Sequence, residues 1–195
     1  MAIRVLLAAV LAAVLMFLWG FAFWGMGIPV AMGMMDPLPG NDDGSAGVKL
    51  QELVGAGGET RVYVYPWPPN SEEAAETFNQ LHRAGPIVQL FYRKEGSEPM
   101  SPTIFALGWL HYFALALLAG ILLKIALPAL PTFGQRVCVV SIVGLIGAIW
   151  STIAGAIWFS HPWRYAIGDA AYGIVAGLLM AVVLAAIIKP RLGTA

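Results

Sequence analysis

The sequence predicts a membrane protein: an all-α bundle of four transmembrane helices carrying a small α+β insert outside the bilayer. Three observations predict it. Four stretches carry no charge, Val5 to Met35, Pro99 to Leu123, Val137 to Trp163 and Ala170 to Ile188, and about 20 apolar residues suffice to cross the hydrocarbon core. Between the first two lies Asp36 to Glu98, which holds ten of the eleven acidic residues and five of the eleven basic ones, a net of −5. The other basic residues stand at the ends of the apolar runs. Composition agrees, with 59% hydrophobic and 11% charged residues and a mean hydropathy of +0.76, where soluble domains carry about 25% charge.

The first run gives one helix and its exit segment, residues 1–35. A signal peptide's apolar region is only about 7–15 residues long, so this run reads as a retained span from Val5 to about Met26. Pro29 ends or kinks it. Trp19 and Trp24 fall near its outer end, where amphipathic rings favour the headgroup level.

Residues 36–98 form the insert, an α-β-α-β cap. Asp36 to Asn41 is rich in Pro and Gly and reads as a turn. A short helix is expected over Asp42 to Val54, stopped by Gly55 to Gly58. Arg61 to Tyr65 is β-branched and aromatic and reads as a strand, ended by Pro66 to Asn70. Ser71 is placed to cap a helix with Glu72 and Glu73 in its first turn. That helix runs to about Arg83, burying Ala75, Phe78 and Leu81, and stops at Gly85. Ile87 to Tyr92 is the second strand. This order allows a parallel pair joined by a right-handed crossover. An insert of this size is small for an independent core, so it is expected to lean on the membrane helices.

Residues 99–195 supply three more helices, at about 101–123, 137–160 and 167–188. Pro128 and Pro131 break the linker between the first two of these. Arg164 to Asp169 reads as an outer connector between the last two. The loop charges orient the chain. Arg4, Lys124, Arg136, Lys189 and Arg191 all fall on one side if both termini are cytoplasmic, as the positive-inside rule requires. The insert is then periplasmic and the host membrane the bacterial inner membrane.

Small residues recur every fourth position on the last two spans: Gly147, Ser151 and Gly155 on one, and Asp169, Gly173, Gly177, Ala181 and Ala185 on the other. Such faces let helix backbones approach closely. They fit an oligomer interface or an intramolecular hairpin, and the hairpin is preferred because short-linked helices pack as neighbours.

The chain resembles a family of uncharacterised bacterial four-span inner-membrane proteins with a periplasmic α-β-α-β insert between spans one and two. The resemblance rests on Trp19-Gly20 in the first helix, the aromatic-proline strand end Tyr63 to Pro66, the acid-rich helix after it, and Pro99-Met100-Ser101-Pro102 at the entry to the second span. It implies this topology and brings no activity with it. Family members often carry Pro-Trp-His after the first span, whereas this chain has Met-rich Pro29 to Met35.

No residue pattern matches a nucleotide loop, a zinc H-E-x-x-H or a serine elbow, and no catalytic residue is assigned. His111 and His161 both fall in the outer half of the membrane, level with Met26, Met32, Met34, Met35 and Met100. Paired imidazoles hold haem, and thioethers with imidazole suit copper(I). Methionine is equally a filler of apolar surface, and a histidine at a helix end commonly bonds the backbone. No cofactor and no metal is therefore expected. Arg164 and Asp169 read as a solvated or paired loop, and His82 as a surface residue. Cys138, the one cysteine, lies in an apolar run and has no intrachain partner. A net-acidic insert lacks the basic face that nucleic acid needs. Tyr63, Tyr65, Trp67, Phe91 and Tyr92 make the insert rich in aromatics, which are enriched at protein contacts. They equally suit packing of the cap onto the helices.

The expected function is a non-enzymatic accessory or scaffold subunit of a bacterial inner-membrane complex, with an energy-transducing complex, respiratory or photosynthetic, as one host. Its partners are the lipid bilayer and other subunits. Two alternatives stand beside it: a small haem or copper protein using His111 and His161, and a carrier for a neutral or lipid-like molecule.

Overall fold

A computed structural model describes residues 2–55 and 57–190. Arg191, one of the orienting charges, lies outside the described residues. Four helical stretches are long and apolar enough to cross a membrane: Ile3–Gly25, Pro102–Ala129, Phe133–Trp158 and Trp163–Ile187. The chain divides into two units, Met1–Met35 with Met100–Ala195, and Asp36–Pro99.

The helical unit begins with α1 (Ala2–Gly20), which continues into a π-helical turn, Phe21–Gly25. Gly27 breaks it by taking a left-handed backbone (φ 78°), which costs an achiral residue nothing. The break therefore precedes Pro29, which sits in the first turn of the short α2 (Ile28–Ala31). After the insert comes α5 (Pro102–Ala126). α6 (Phe133–Ala148), a π turn (Ile149–Ile153) and α7 (Ala154–Trp158) together form the third rod. α6 starts four residues before the expected 137 because Thr132 and Gln135 make a reciprocal capping box, satisfying free N–H groups at both ends of the first turn. α8 (Trp163–Ile187) closes the set.

α8 packs between α6 and α1, and α1 packs between α8 and α5, while α5 and α6 meet at only a few points. The shared core is built largely from small residues, with Ala8, Ala12, Ala116 and Ala181 fully buried alongside Leu123 and Leu184. Large aliphatics such as Leu7, Leu18, Leu118 and Ile146 face outward, the arrangement expected where the solvent is hydrocarbon.

The close contact of α6 and α8 is a glycine pair. A Cβ on Gly144 would stand 2.9 Å from the Gly177 Cα, and one on Gly173 would meet the Ala148 Cβ at 3.2 Å. The hairpin reading thus holds, and Gly173 and Gly177 serve it. The expected α6 stripe of Gly147, Ser151 and Gly155 is corrected. The face toward α8 carries Gly144 and Ala148, while a Cβ on Gly147 would meet nothing within 4 Å. Both stripes have fourfold spacing, so only the neighbour's position decides between them. Gly155 instead receives the ring of His161, which folds back onto it.

One further expectation changes. Arg164 and Asp169 lie within α8, since the turn before it is only Phe159 to Pro162. Arg136, a helix-end charge in the sequence, is only 6% exposed. It donates from Nε to the Ala185 carbonyl at 3.2 Å and from one terminal nitrogen to the Leu130 and Pro131 carbonyls at 3.2 and 2.9 Å. These are carbonyls that the end of α8 and the proline-broken linker would otherwise leave without donors. Trp19 donates its indole N–H to the Tyr172 carbonyl at 3.1 Å.

The insert contains α3 (Ser45–Val54), β1 (Arg61–Tyr65), α4 (Glu72–Ala84) and β2 (Val88–Tyr92). Ser71 caps α4 by accepting the Ala74 N–H at 3.3 Å, and Gly85 ends it with φ 67°. The strands pair antiparallel, Arg61 opposite Tyr92 and Tyr65 opposite Val88, which corrects the expected parallel crossover. Both ends of the connection must then lie at one end of the sheet. The 13 residues of α4 form a leg of about 20 Å, and the extended run Pro66 to Asn70 can supply an opposite leg of about 17 Å. Among the insert's described residues only Gly58 and Pro66 are buried, and Leu81, expected inside, is exposed.

Candidate functional site

The wide separation of α5 from α6 leaves a cleft floored by α8 and Met16 of α1, with a volume of about 590 Å³. Volumes of about 300–1,000 Å³ are typical of small-molecule sites. Its polar groups gather toward one end: His111 and Tyr112 on α5, Ser151 and Thr152 in the π turn, and Asp169 and Tyr172 on α8. The other end is hydrocarbon, including Leu118, Leu122, Val143 and Met180.

Local structure fixes each polar group. The π turn allows both Ser151 and Thr152 to donate to one carbonyl, that of Ala148, at 3.4 and 2.7 Å. The Tyr112 and Tyr172 hydroxyls hydrogen-bond each other. Gly20 makes room for them, since a Cβ there would lie 2.9 and 3.0 Å from the two oxygens. The Tyr172 ring is held by Trp19, stacked at 6.1 Å, and by Phe23 at 5.1 Å. The Trp19-Gly20 pair therefore has a physical role in seating the tyrosine pair. Asp169 is half-buried and makes no hydrogen bond or ion pair among the described residues.

The structure brings His111, Gly147, Ser151, Asp169, Gly173 and Gly177 of the residues singled out from sequence to this one cleft. His161 is not part of its lining. It stacks loosely on Phe159, ring centroids 6.2 Å apart, and lies on Gly155. Met34 is a core residue packed on Gly168, and Met26, Met32, Met35 and Met100 are exposed. Among the described residues no three His, Cys, Asp or Glu side chains are grouped to hold a metal ion. Tyr112, Tyr172 and Thr152 were missed because an aromatic or a threonine in an apolar run gives no signal. Only the position of the neighbouring helix makes them a cluster.

The aromatics of the insert do not form one surface. Register places Tyr63, Tyr65 and Tyr92 on one face of the sheet, and Phe91 with Val62 and Val64 on the other. Tyr63 and Tyr92 meet edge to face at 6.0 Å, and the Tyr63 hydroxyl binds the Glu59 backbone. Phe91 and Trp67 are 71% and 73% exposed. Thr60 closes the end of the hairpin: its hydroxyl donates to the Glu95 carboxylate at 2.8 Å and accepts the Lys94 N–H at 3.1 Å. The Thr60 hydroxyl thereby holds the Glu95 carboxyl below the usual glutamate range.

No family model, curated protein or solved structure matches the chain.

Proposed function

We propose that the chain is a non-enzymatic accessory subunit of a bacterial inner-membrane complex, anchored by the four apolar helices and docked to a partner through residues 36–98. The observation that carries this reading is the state of the insert. Val62, Val64 and Phe91 form an exposed apolar face on a sheet of only two strands, and Leu53 and Trp67 are 75% and 73% exposed. A two-stranded sheet is marginal in water without something packed on it. The partner is the extramembrane part of another subunit, and an energy-transducing complex is the host that suits a chain without a catalytic constellation. The membership suggested by the resemblance to four-span inner-membrane proteins, and the periplasmic placement of the insert, belong to the same proposal. The positive-inside distribution of Arg4, Lys124, Arg136 and Lys189 supports that orientation.

The test is native electrophoresis of membranes solubilised in mild detergent. The wild-type chain should migrate in an assembly well above its own 20.8 kDa. Phe91→Glu should release it while leaving its own thermal unfolding unchanged, because Phe91 is already exposed. A wild-type chain that runs alone, or a Phe91→Glu chain that stays assembled, would contradict the reading.

A further inference from the structure

We propose that the cleft between α5, α6 and α8 binds a single-chain amphiphile whose head is a primary ammonium group. The inference concerns the helical unit and is independent of what docks on the insert. It starts from a hydrogen-bond inventory of the polar end. Ser151 and Thr152 spend their hydrogens on the Ala148 carbonyl, so each presents lone pairs to the cleft. One of the Tyr112 and Tyr172 hydrogens is spent on the other tyrosine. Asp169 offers a carboxylate with no partner among the described residues. His111 is the remaining donor beside the second tyrosine hydrogen. Among the described residues no lysine or arginine lines the cleft. The polar end is therefore rich in acceptors and carries one unanswered negative charge.

The complement of such an end is a cation with several N–H donors. A carboxylate or phosphate head would meet Asp169 with no cation to offset the repulsion. A quaternary ammonium would satisfy the charge but leave the Ser151 and Thr152 lone pairs unanswered. A primary ammonium has three donors for Asp169 and the two hydroxyls. An ionisable residue inside an apolar helix ordinarily faces a partner or a pathway, and no described residue supplies one for Asp169. The rest of the cleft fixes the tail. Asp169 and Met180 are eleven positions apart on α8, about 17 Å of helix, and past Tyr172 the lining along α8 is hydrocarbon and glycine. An extended alkyl chain of dodecyl length fits that run, and Gly147, where a Cβ would meet nothing within 4 Å, leaves room along it.

The experiment uses the full chain in nanodiscs and radiolabelled dodecylamine, with empty nanodiscs as the partition blank. Saturable binding of one amine per chain above the blank is expected. Asp169→Asn should weaken it at least about tenfold, the loss expected when one partner of a desolvated charge pair is removed. Unlabelled dodecylamine should displace the label, dodecanol only at much higher concentration, and dodecanoate not at all. Gly147→Leu supplies the second variant. Its side chain enters open space, so the fold is kept and the tail is displaced, and binding should vanish. Uptake equal to that of empty nanodiscs would overturn the proposal. So would binding unchanged in both variants, or dodecanoate displacing the label as well as dodecylamine does.

Discussion

Arg136 shows how a residue can be read from sequence as a helix-end charge while its partners stay invisible. Its place before an apolar run marks a helix end, and nothing in the sequence says that the end of α8 comes back beside it. Its guanidinium gathers carbonyls from three residues, Leu130, Pro131 and Ala185, and cations are favoured at helix C-termini. Arg136→Met keeps the bulk and removes every donor, so it should destabilise the protein by about 3 kcal/mol. Arg136→Lys should recover only part of that loss, since a point charge cannot reach the three carbonyls in the fork geometry. Unfolding in detergent, followed by far-UV circular dichroism, measures both. The glycines give a second contrast. Gly177→Leu forces a side chain into the Gly144 backbone and should cost about 3 kcal/mol, while Gly147→Leu should be nearly neutral. Equal effects at the two sites would place the α6–α8 contact elsewhere. Fourfold spacing made Gly173, Gly177 and Ala181 legible, but it could not choose between the Gly144 and Gly147 faces of α6.

At the level of elements, the apolar runs and stop signals located all four long helices, and Ser71 and Gly85 bounded α4. What spacing could not supply was pairing. Strand direction depends on where a connection returns, and Pro66 to Asn70 can serve equally as a turn or as an extended leg. The π turn at Ile149–Ile153 was also invisible, because Ile-Trp-Ser-Thr-Ile carries no breaker. That turn is nevertheless what brings Ser151 and Thr152 together on the Ala148 carbonyl. In the insert, the Thr60–Glu95 bond makes hairpin closure sensitive to acid. The Glu95 carboxyl is depressed in the folded chain, so its contribution is complete above the ordinary glutamate value and is lost as pH falls through the lower, folded one. NMR titration should find the Glu95 midpoint below that of a free glutamate, and Thr60→Val should raise it toward the ordinary value. An unchanged midpoint in Thr60→Val would remove the hydroxyl as the cause.

For the whole molecule, charge segregation is the property that reads most directly from sequence, and the proposed orientation rests on it. Reporter fusions at Gly134 and Gly58 should report opposite sides, cytoplasmic and periplasmic, and a shared side would undo the topology. The cleft was not legible, because it is defined by the separation of α5 and α6 and not by any run of residues. The insert's exposed face was half legible: its aromatic content was visible, but its division between two faces of a sheet followed from the antiparallel register. Docking through that face is the central claim. A photo-crosslinking amino acid placed at Phe91 in living cells tests it most directly, with Gln80, exposed on α4, as the control position. The account predicts a discrete crosslinked product to another membrane subunit from Phe91 and none from Gln80. No product from Phe91, or only products within the chain itself, would contradict it.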